Sequence, residues 1–282
     1  MMKLVNKNSK LRQLLDIHRD KGRKIGFVPT MGALHLGHLS LVEQAGKENN
    51  IVVVSIFVNP TQFNDLSDLK RYPRTLQNDM KLLSVLKCDY IFSPDVSEIY
   101  PEPDTRKFNF GDLETVMEGK FRPGHFNGVA QVVSKLFDIV EPDKAYFGLK
   151  DFQQLAVIKS LVEQLDYKIT VVPCEIKREP DGLAMSSRNA LLEPEFRKEA
   201  PIIQQTLLKA KELAGNLMVN GVKDWVVNEI ETNSNIKVEY FEIVDDTRLQ
   251  PIADWNEKAT KVGCIATYAG RIRLIDNIIF DK

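Results

Sequence analysis

Cysteine is scarce: Cys88, Cys174 and Cys264 are the only three, odd in number and far apart. That excludes a disulfide framework and a zinc knuckle, and points to a reducing, cytoplasmic setting. Net charge is nearly absent at -1, which argues against nucleic acid or an anionic membrane as the main partner. A local basic pocket remains compatible with that balance. No stretch approaches the roughly 18 uninterrupted apolar residues of a membrane span. The N-terminal stretch is polar and charged, so no signal peptide is expected. Histidine is rare too, four in all, and two of them, His35 and His38, stand close together in "FVPTMGALHLGHLSLVEQA" (27–45).

What is present suits a soluble globular protein. A chain of 282 residues predicts one large or two unequal domains, and 43% hydrophobic content allows a core of good size. Ser9 is placed to cap a first helix with Leu11, Leu14, Leu15 and His18 on one face. "KIGFVP" (24–29) reads as a strand, followed by a helix opening near His38. "IVVVSIF" (51–57) is a β-branched run broken only by Ser55, as expected of a strand buried on both faces of a parallel sheet. Further helices are predicted over 75–86, 128–140 and 153–165, and strands over 89–94, 144–148 and 168–173. This alternation predicts an α/β fold, a doubly wound, Rossmann-like parallel sheet. Such sheets bind ligands beyond the C-terminal ends of their strands, which directs attention to the loops after Pro29, Phe57, Pro94, Phe147 and Pro173. From Glu193 onward the texture changes. A long helix over 194–213 and a shorter one over 222–231 precede three strands, the last two flanking an Ala269-Gly270 turn. A smaller α+β C-terminal domain with an antiparallel sheet is expected, dividing the chain into 1–176 and 177–282. No internal repeat or low-complexity segment is visible.

The paired histidines admit three readings. A metal site needs further Cys, His or carboxylate ligands at suitable spacing, and neither His18 nor His125 supplies a second pair. A histidine satisfying backbone groups at a helix start is the plainest account. The third uses context: after a strand and at the mouth of a helix, unpaired N–H groups and the positive dipole end favour an anion. Gly32 and Gly37 allow the backbone to approach it closely. Imidazoles near a helix N-terminus tend to be neutral and would donate hydrogen bonds to a triphosphate. "His35-Leu36-Gly37-His38" resembles the HxGH signature of the nucleotidylyltransferase superfamily, which includes class I aminoacyl-tRNA synthetases.

A second phosphate-binding string follows the fifth predicted strand. "DGLAMSSRN" (181–189) brings Ser186, Ser187 and the two-pronged guanidinium of Arg188 after an Asp181-Gly182 turn. It resembles the KMSKS-type loop of the same superfamily, with a polar surface loop as the plain alternative. Three more loops carry polar sets: "FVNPTQFN" (57–64) with Asn59 and Gln62, "RPGHFNGVAQVVSKLF" (122–137) with Arg122 and His125, and "YFGLKDFQQL" (146–155) with Gly148, Lys150, Asp151, Gln153 and Gln154. Taken singly, each fits solvated loop polarity. Together, in this order and spacing, they resemble the pantothenate synthetase (pantoate–β-alanine ligase) family. The likeness is dense from the first strand through Leu192 and looser beyond, where "DNI" (276–278) also fits.

The resemblance implies ATP-dependent condensation of pantoate with β-alanine through an enzyme-bound pantoyl adenylate, releasing AMP and pyrophosphate. It implies a homodimer, with ATP, pantoate and β-alanine as partners and Mg²⁺ accompanying ATP. By similarity, Met31, Gly32, Ala33, Leu34, His35, Leu36, Gly37 and His38 line the ATP site, with Gly148, Leu149, Lys150 and Asp151. Lys177, Met185, Ser186, Ser187 and Arg188 would complete it, and His35, His38, Lys150 and Arg188 would act in the chemistry. Electrostatic stabilisation is the role expected of the histidines, because pyrophosphate bound to Mg²⁺ leaves readily with little protonation. Gln62, Gln154 and Asn59 would bind pantoate, and Gln62 also β-alanine, with Arg122 and His125 as further candidates on that side. Asp79, in the helix after "RYPRT", is the candidate carboxylate near Mg²⁺, with a surface helix charge as its alternative. Leu36 stands where many members have an acidic residue and Leu149 where a glutamate is usual; both changes bear on ATP affinity or loop order. The small domain is expected to close as a lid, since acyl adenylates hydrolyse unless water is excluded. The rivals are another HxGH-type nucleotidylyltransferase and a non-catalytic ATP-binding module. A tRNA synthetase fits less well, because no basic surface or anticodon-binding extension is evident.

Overall fold

A computed structural model describes residues 2–63 and 66–280, without the side chains of 66–68; Asn64 of the "FVNPTQFN" string lies outside them. The chain forms two compact units: Met1–Phe110 with Arg122–Leu149 and Val157–Glu175, and Gly111–Phe121 with Lys150–Ala156 and Ile176–Lys282.

The first unit is built on β1 (Lys3–Val5), α1 (Asn8–Arg19), β2 (Ile25–Thr30), α2 (Leu36–Glu48), β3 (Ile51–Ile56), α3 (Leu66–Arg71), α4 (Leu76–Leu83), β4 (Tyr90–Phe92) and α5 (Val96–Ile99). After α6 (Met117–Phe121), which belongs to the second unit, come α7 (His125–Val140), β5 (Lys144–Gly148), α8 (Phe152–Gln164) and β6 (Thr170–Cys174). The six strands pair in parallel in the order β1-β4-β3-β2-β5-β6, the doubly wound sheet expected. From β2 the chain steps to β3 and β4 on one side, then to β5 and β6 on the other. The winding direction therefore reverses between β2 and β5, and the ligand crevice of such a sheet lies beyond the ends of those two strands. All of β3 is buried, which is why its residues are β-branched without alternation. The sheet has one strand more than expected. β1 is only "KLV", too short to display a period, and pairing with β4 (Lys3↔Tyr90, Val5↔Phe92) makes it a strand.

One part-buried ion pair in this unit carries a pH signature. The Asp104 carboxylate, 3% exposed, accepts from Arg106 Nε at 2.9 Å and Nη2 at 2.6 Å, with Lys135 Nζ at 3.6 Å. The Arg106 hydrogen bonds hold its carboxyl at about 2, against a burial effect that raises it. A depressed folded value means stability that is present above the ordinary carboxylate pKa and lost as pH falls toward 2. Asp104→Asn is thus expected to remove about 1 kcal/mol at pH 6, the shift being discounted for solvent screening of the part-exposed guanidinium, and to flatten the stability profile between about pH 4 and 2. Urea melts across that range test this; a variant profile parallel to the wild type would contradict it.

The second unit contains α9 (Pro194–Glu199), α10 (Ile202–Leu213), α11 (Val219–Asn233), β7 (Lys237–Asp245), β8 (Lys261–Ala269) and β9 (Ile272–Phe280). Its sheet is antiparallel, β7-β8-β9, and packs Phe241, Ile243, Ile265 and Leu274 with Ile203 and Leu207 of α10 and Val222, Val226 and Ile230 of α11 in one core. The single helix predicted over 194–213 is two helices, interrupted at Ala200-Pro201. Proline has no N–H for the helix ladder, and its ring crowds the preceding turn. A single cut at 176/177 also misses that 111–121 and 150–156 join this unit. Buried Gln153 ties those two segments together, donating to the carbonyls of Leu113 (2.7 Å) and Val116 (2.9 Å) and accepting from Glu118 N (2.9 Å). Glu118 in turn accepts from Arg273 of β9 and from Tyr240 of β7. Bonds between such distant residues leave no local pattern in the sequence.

Burial pushes the thiols of Cys88 and Cys264 up to about 12 and that of Cys174 to about 11. No cysteine among them is a nucleophile at neutral pH. No helix among the described residues is long and apolar enough to cross a membrane.

Candidate active site

In the first unit the loop from β2 to α2 turns through two successive left-handed residues, Gly32 (φ 82°) and Ala33 (φ 50°). Glycine takes that conformation freely, whereas alanine is strained by about 1–2 kcal/mol. The compensation comes from Asp79 of α4, whose side chain is wholly buried. Its Oδ2 accepts from Ala33 N at 3.1 Å, and its Oδ1 from Leu34 N at 2.9 Å and Thr75 Oγ1 at 3.2 Å. Successive amides around a left-handed turn form a concave receptor for an anion, and here a carboxylate of the chain fills it. A Cβ on Gly32 would stand 3.0 Å from Ile56 Cγ2 and 3.1 Å from Asp79 Oδ2.

The histidines follow directly. His35 is the N-cap of α2, its Nδ1 accepting from Gly37 N at 3.2 Å, while His38 Nδ1 accepts from His35 N at 3.4 Å. This is a capping box with imidazoles in place of the usual hydroxyl and carboxylate, the rings 4.1 Å apart. An Nδ1 that accepts a hydrogen bond carries no proton, which puts the N–H of each ring at Nε2. The sequence therefore both caps the helix and sets two N–H donors at its mouth. The capping reading does not exclude the phosphate reading, because the caps use only Nδ1 of each ring. Buried Leu39, Leu41, Val42 and Ala45 fix α2 against the sheet, while Leu36 is 62% exposed.

Beyond β3, Gln62 ends the short 3-10 turn Pro60–Gln62. Its Oε1 accepts from Asn59 Nδ2 at 3.2 Å and its Nε2 reaches Met31 Sδ at 3.1 Å, joining this turn to the histidine loop. Asn59 was expected to face ligand. It is 1% exposed, its Oδ1 accepting from Tyr100 (2.9 Å) and Thr61, and its Nδ2 donating to Gly128 O at 3.1 Å. Its work is therefore to hold the turn. His125 is likewise buried, and its Nδ1 donates to Gln62 O at 2.9 Å, supporting the backbone of that residue. Gly128 is needed here, since a Cβ would lie 2.3 Å from the carbonyl oxygen of Thr61. Arg122 precedes α7 in the same unit, and Gly148 ends β5, with Leu149 next in the chain.

In the second unit Lys150 and Asp151 form a 3-10 turn with Leu149, the Lys150 Nζ standing 3.9 Å from Asp151 Oδ2. Gln154 is half-buried in the first turn of α8. Residues 177–185 make a tight hairpin, with Met185 N donating to Lys177 O at 2.9 Å and Gly182 (φ 96°) at its tip. The hairpin delivers Ser186, the N-cap of a 3-10 turn over Ser187–Leu191, whose Oγ accepts from Arg188 N at 3.2 Å. This folds the string so that Ser186, Ser187 and Arg188 occupy one turn.

The first unit thus carries Met31 against Gln62 and His35 beside His38, and the second carries Lys150 and the Ser186–Arg188 turn. Asp79 departs from the expected metal role, because its oxygens are aimed at backbone N–H groups. Among the described residues no group of three or more His, Cys, Asp or Glu side chains is arranged to hold a metal ion. The described residues do not form a protein cage for Mg²⁺, whose preferred ligands with a nucleotide are phosphate oxygens and water. Sequence reasoning missed Glu118 and Gln153 as supports; the second glutamine of Gln153-Gln154 was visible, but nothing local distinguished the buried one from its neighbour.

Comparison with known proteins places the chain in a family. A family model described as pantoate-beta-alanine ligase matches residues 3–279. A relative from Bacteroides thetaiotaomicron named pantothenate synthetase is 52% identical over 281 residues, covering 100% of both chains. A crystal structure of pantothenate synthetase from Thermus thermophilus is similar over 100% of both chains, with a TM-score of 0.92 and 43% identity. A pantoate-beta-alanine ligase from Francisella tularensis, solved as a complex with beta-gamma ATP and beta-alanine, covers 100% of this chain and 99% of its own, at a TM-score of 0.84 and 36% identity.

Proposed function

The chain belongs to the pantoate-beta-alanine ligase family, and we propose that its residues divide the work of amide formation into two steps. As a ligase it joins the carboxylate of pantoate to the amine of β-alanine, at the cost of ATP cleavage to AMP and pyrophosphate. A carboxylate is a poor acyl donor until one of its oxygens becomes a good leaving group. In the first step a pantoate carboxylate oxygen bonds to the α-phosphorus, the bond to the bridging oxygen breaks, and pyrophosphate leaves. In the second the β-alanine nitrogen attacks the acyl carbon of the adenylate, AMP departs, and the nitrogen loses a proton.

His35 and His38 donate from Nε2 to phosphate oxygens as charge moves onto the bridging oxygen. The observation that carries this is the acceptance of backbone N–H groups by both Nδ1 atoms, which leaves donors, not acceptors, at the helix mouth. Lys150, Ser186, Ser187 and Arg188 bind the phosphates, and Mg²⁺ accompanies the nucleotide. Met31, Gly32, Ala33, Leu34, Leu36, Gly37, Gly148, Leu149, Asp151, Lys177 and Met185 shape the rest of the ATP site. Gln62 and Gln154 bind pantoate, and Gln62 also β-alanine. An uncharged amide suits this, because a cation would damp the nucleophilicity of the carboxylate. The Nε2 of Gln62 rests on a thioether, a weak acceptor that a substrate oxygen readily replaces. A cytosolic homodimer is part of the same reading.

The test supplies ATP and Mg²⁺ with pantoate and β-alanine singly and together. AMP that accumulates only with both acids, together with pyrophosphate exchange that needs pantoate alone, is expected. AMP formation indifferent to pantoate would overturn the reading in favour of another nucleotidyl transfer, and ATP binding without any AMP would favour a non-catalytic module.

A further inference from the structure

Asp276 and Asn277 are adjacent on β9, 4% and 5% exposed, and take no part in the steps above. Burying two polar side chains is unfavourable unless each finds strong partners. Asp276 finds the fork of Arg178, Oδ2 to Nη1 at 2.6 Å and Oδ1 to Nη2 at 3.0 Å. Arg178 belongs to the 177–185 hairpin; its Nη1 also donates to Gly182 O at 3.1 Å, and its backbone bridges to Ala184. That hairpin leads straight into Ser186, Ser187 and Arg188. Asn277 turns to a different segment, its Nδ2 donating to the backbone carbonyl of Lys150 at 3.0 Å. The two are also coupled to each other, since Asn277 N donates to Asp276 Oδ1 at 2.8 Å. All of these residues lie in the second unit.

We propose that the Asp276–Asn277 pair is a positioning splint, which fixes the backbone of Lys150 and the hairpin bearing Ser186–Arg188 in one mutual geometry for the triphosphate. A β-strand suits the task. Its ladder with β8 (Ile265↔Asp276, Cys264↔Asn277) holds both side chains rigidly, and two segments far apart in sequence are referred to one pair of neighbours. A displacement near 1 Å at a reacting centre costs on the order of 10²-fold in rate, so small shifts of Lys150 or Arg188 matter. The inference rests on the reading of Lys150 and Arg188 as phosphate ligands.

The experiment is a double-mutant cycle in the full chain, read by pantoate-dependent ATP–pyrophosphate exchange. Asn277→Ala is expected to lower kcat/KM for ATP about 30-fold in the wild-type background. With Lys150 already changed to alanine there is no ammonium left to position, and the same substitution is expected to cost less than about 3-fold. Aminolysis of pantoyl adenylate supplied directly involves no triphosphate and is expected to change little. Losses that multiply fully in the Lys150→Ala background, or aminolysis reduced as much as exchange, would overturn the splint in favour of a general structural role. A Lys150→Ala chain that exchanges at the wild-type rate would overturn the reading of Lys150, and the splint with it. Should Asn277→Ala fail to fold, Asp276→Asn, which keeps shape but loses the charge facing Arg178, is paired with Arg188→Ala and read in the same way.

Discussion

His38→Asn is expected to lower pantoate-dependent ATP–pyrophosphate exchange by about 10²–10³-fold, the range for removing one aligned donor from a developing oxyanion. The choice of asparagine separates the two nitrogens of the ring. Its Oδ1 falls where Nδ1 accepts from His35 N, so the capping box survives, but nothing reaches as far as Nε2. His38→Gln is the complementary variant: it carries a donor at about the reach of Nε2 and lacks the near acceptor. Exchange is expected to suffer more in the asparagine variant, and thermal stability more in the glutamine variant, by about 1 kcal/mol for the lost cap. Stopped exchange assays and melting curves on the same preparations decide it. Asparagine-variant exchange within about 3-fold of wild type would remove His38 from the chemistry and leave it as a cap alone.

Asp79→Ala is expected to destabilise the protein by about 3 kcal/mol and to lower exchange by at least about 10²-fold even at saturating Mg²⁺. The buried N–H groups of Ala33 and Leu34 would lose their acceptors together, at about 1–3 kcal/mol each before the loop relaxes. The left-handed Gly32-Ala33 pair would lose its compensation, and the histidines that follow would lose their fixed position. Asp79→Asn is an intermediate case, since one carboxamide oxygen accepts and the NH₂ faces a backbone donor. A metal-ligand role gives the opposite pattern. There, activity would recover as Mg²⁺ is raised while melting stays unchanged, and that outcome would replace the loop-clasp account.

The type of both residues was legible in the sequence; the partner of His38 is local, whereas those of Asp79 are not. The order of strands and helices, the buried β3, a helix opening near His38 and the Ala269-Gly270 hairpin follow from periodicity and turn chemistry contained within single elements. So did the candidacy of His35, His38, Gln62, Lys150 and Arg188, since a glycine-opened helix mouth after a strand, or a Ser-Ser-Arg string in a crevice loop, is a local pattern. Pro201 was visible, yet a strong apolar stripe on either side of it reads as one helix. The three residues of β1 become a strand only because β4 offers its edge.

What the tertiary structure decided is the use of each polar group. Asp79 meets Leu34 across 45 residues of chain, Arg178 meets Asp276 across 98, and Lys150 meets Asn277 across 127. A carboxylate or amide in a sequence has the same character whether it binds a metal, a substrate or a backbone N–H. Only burial, which makes an unpaired polar group costly, and the geometry that supplies its partner select among these. For that reason Asp79, Asn59 and His125 passed from ligand candidates to supports, and the splint at Asp276–Asn277 emerged from a "DNI" string that carried no assignment. The histidine cap was legible because its partners lie within the four residues from His35 to His38.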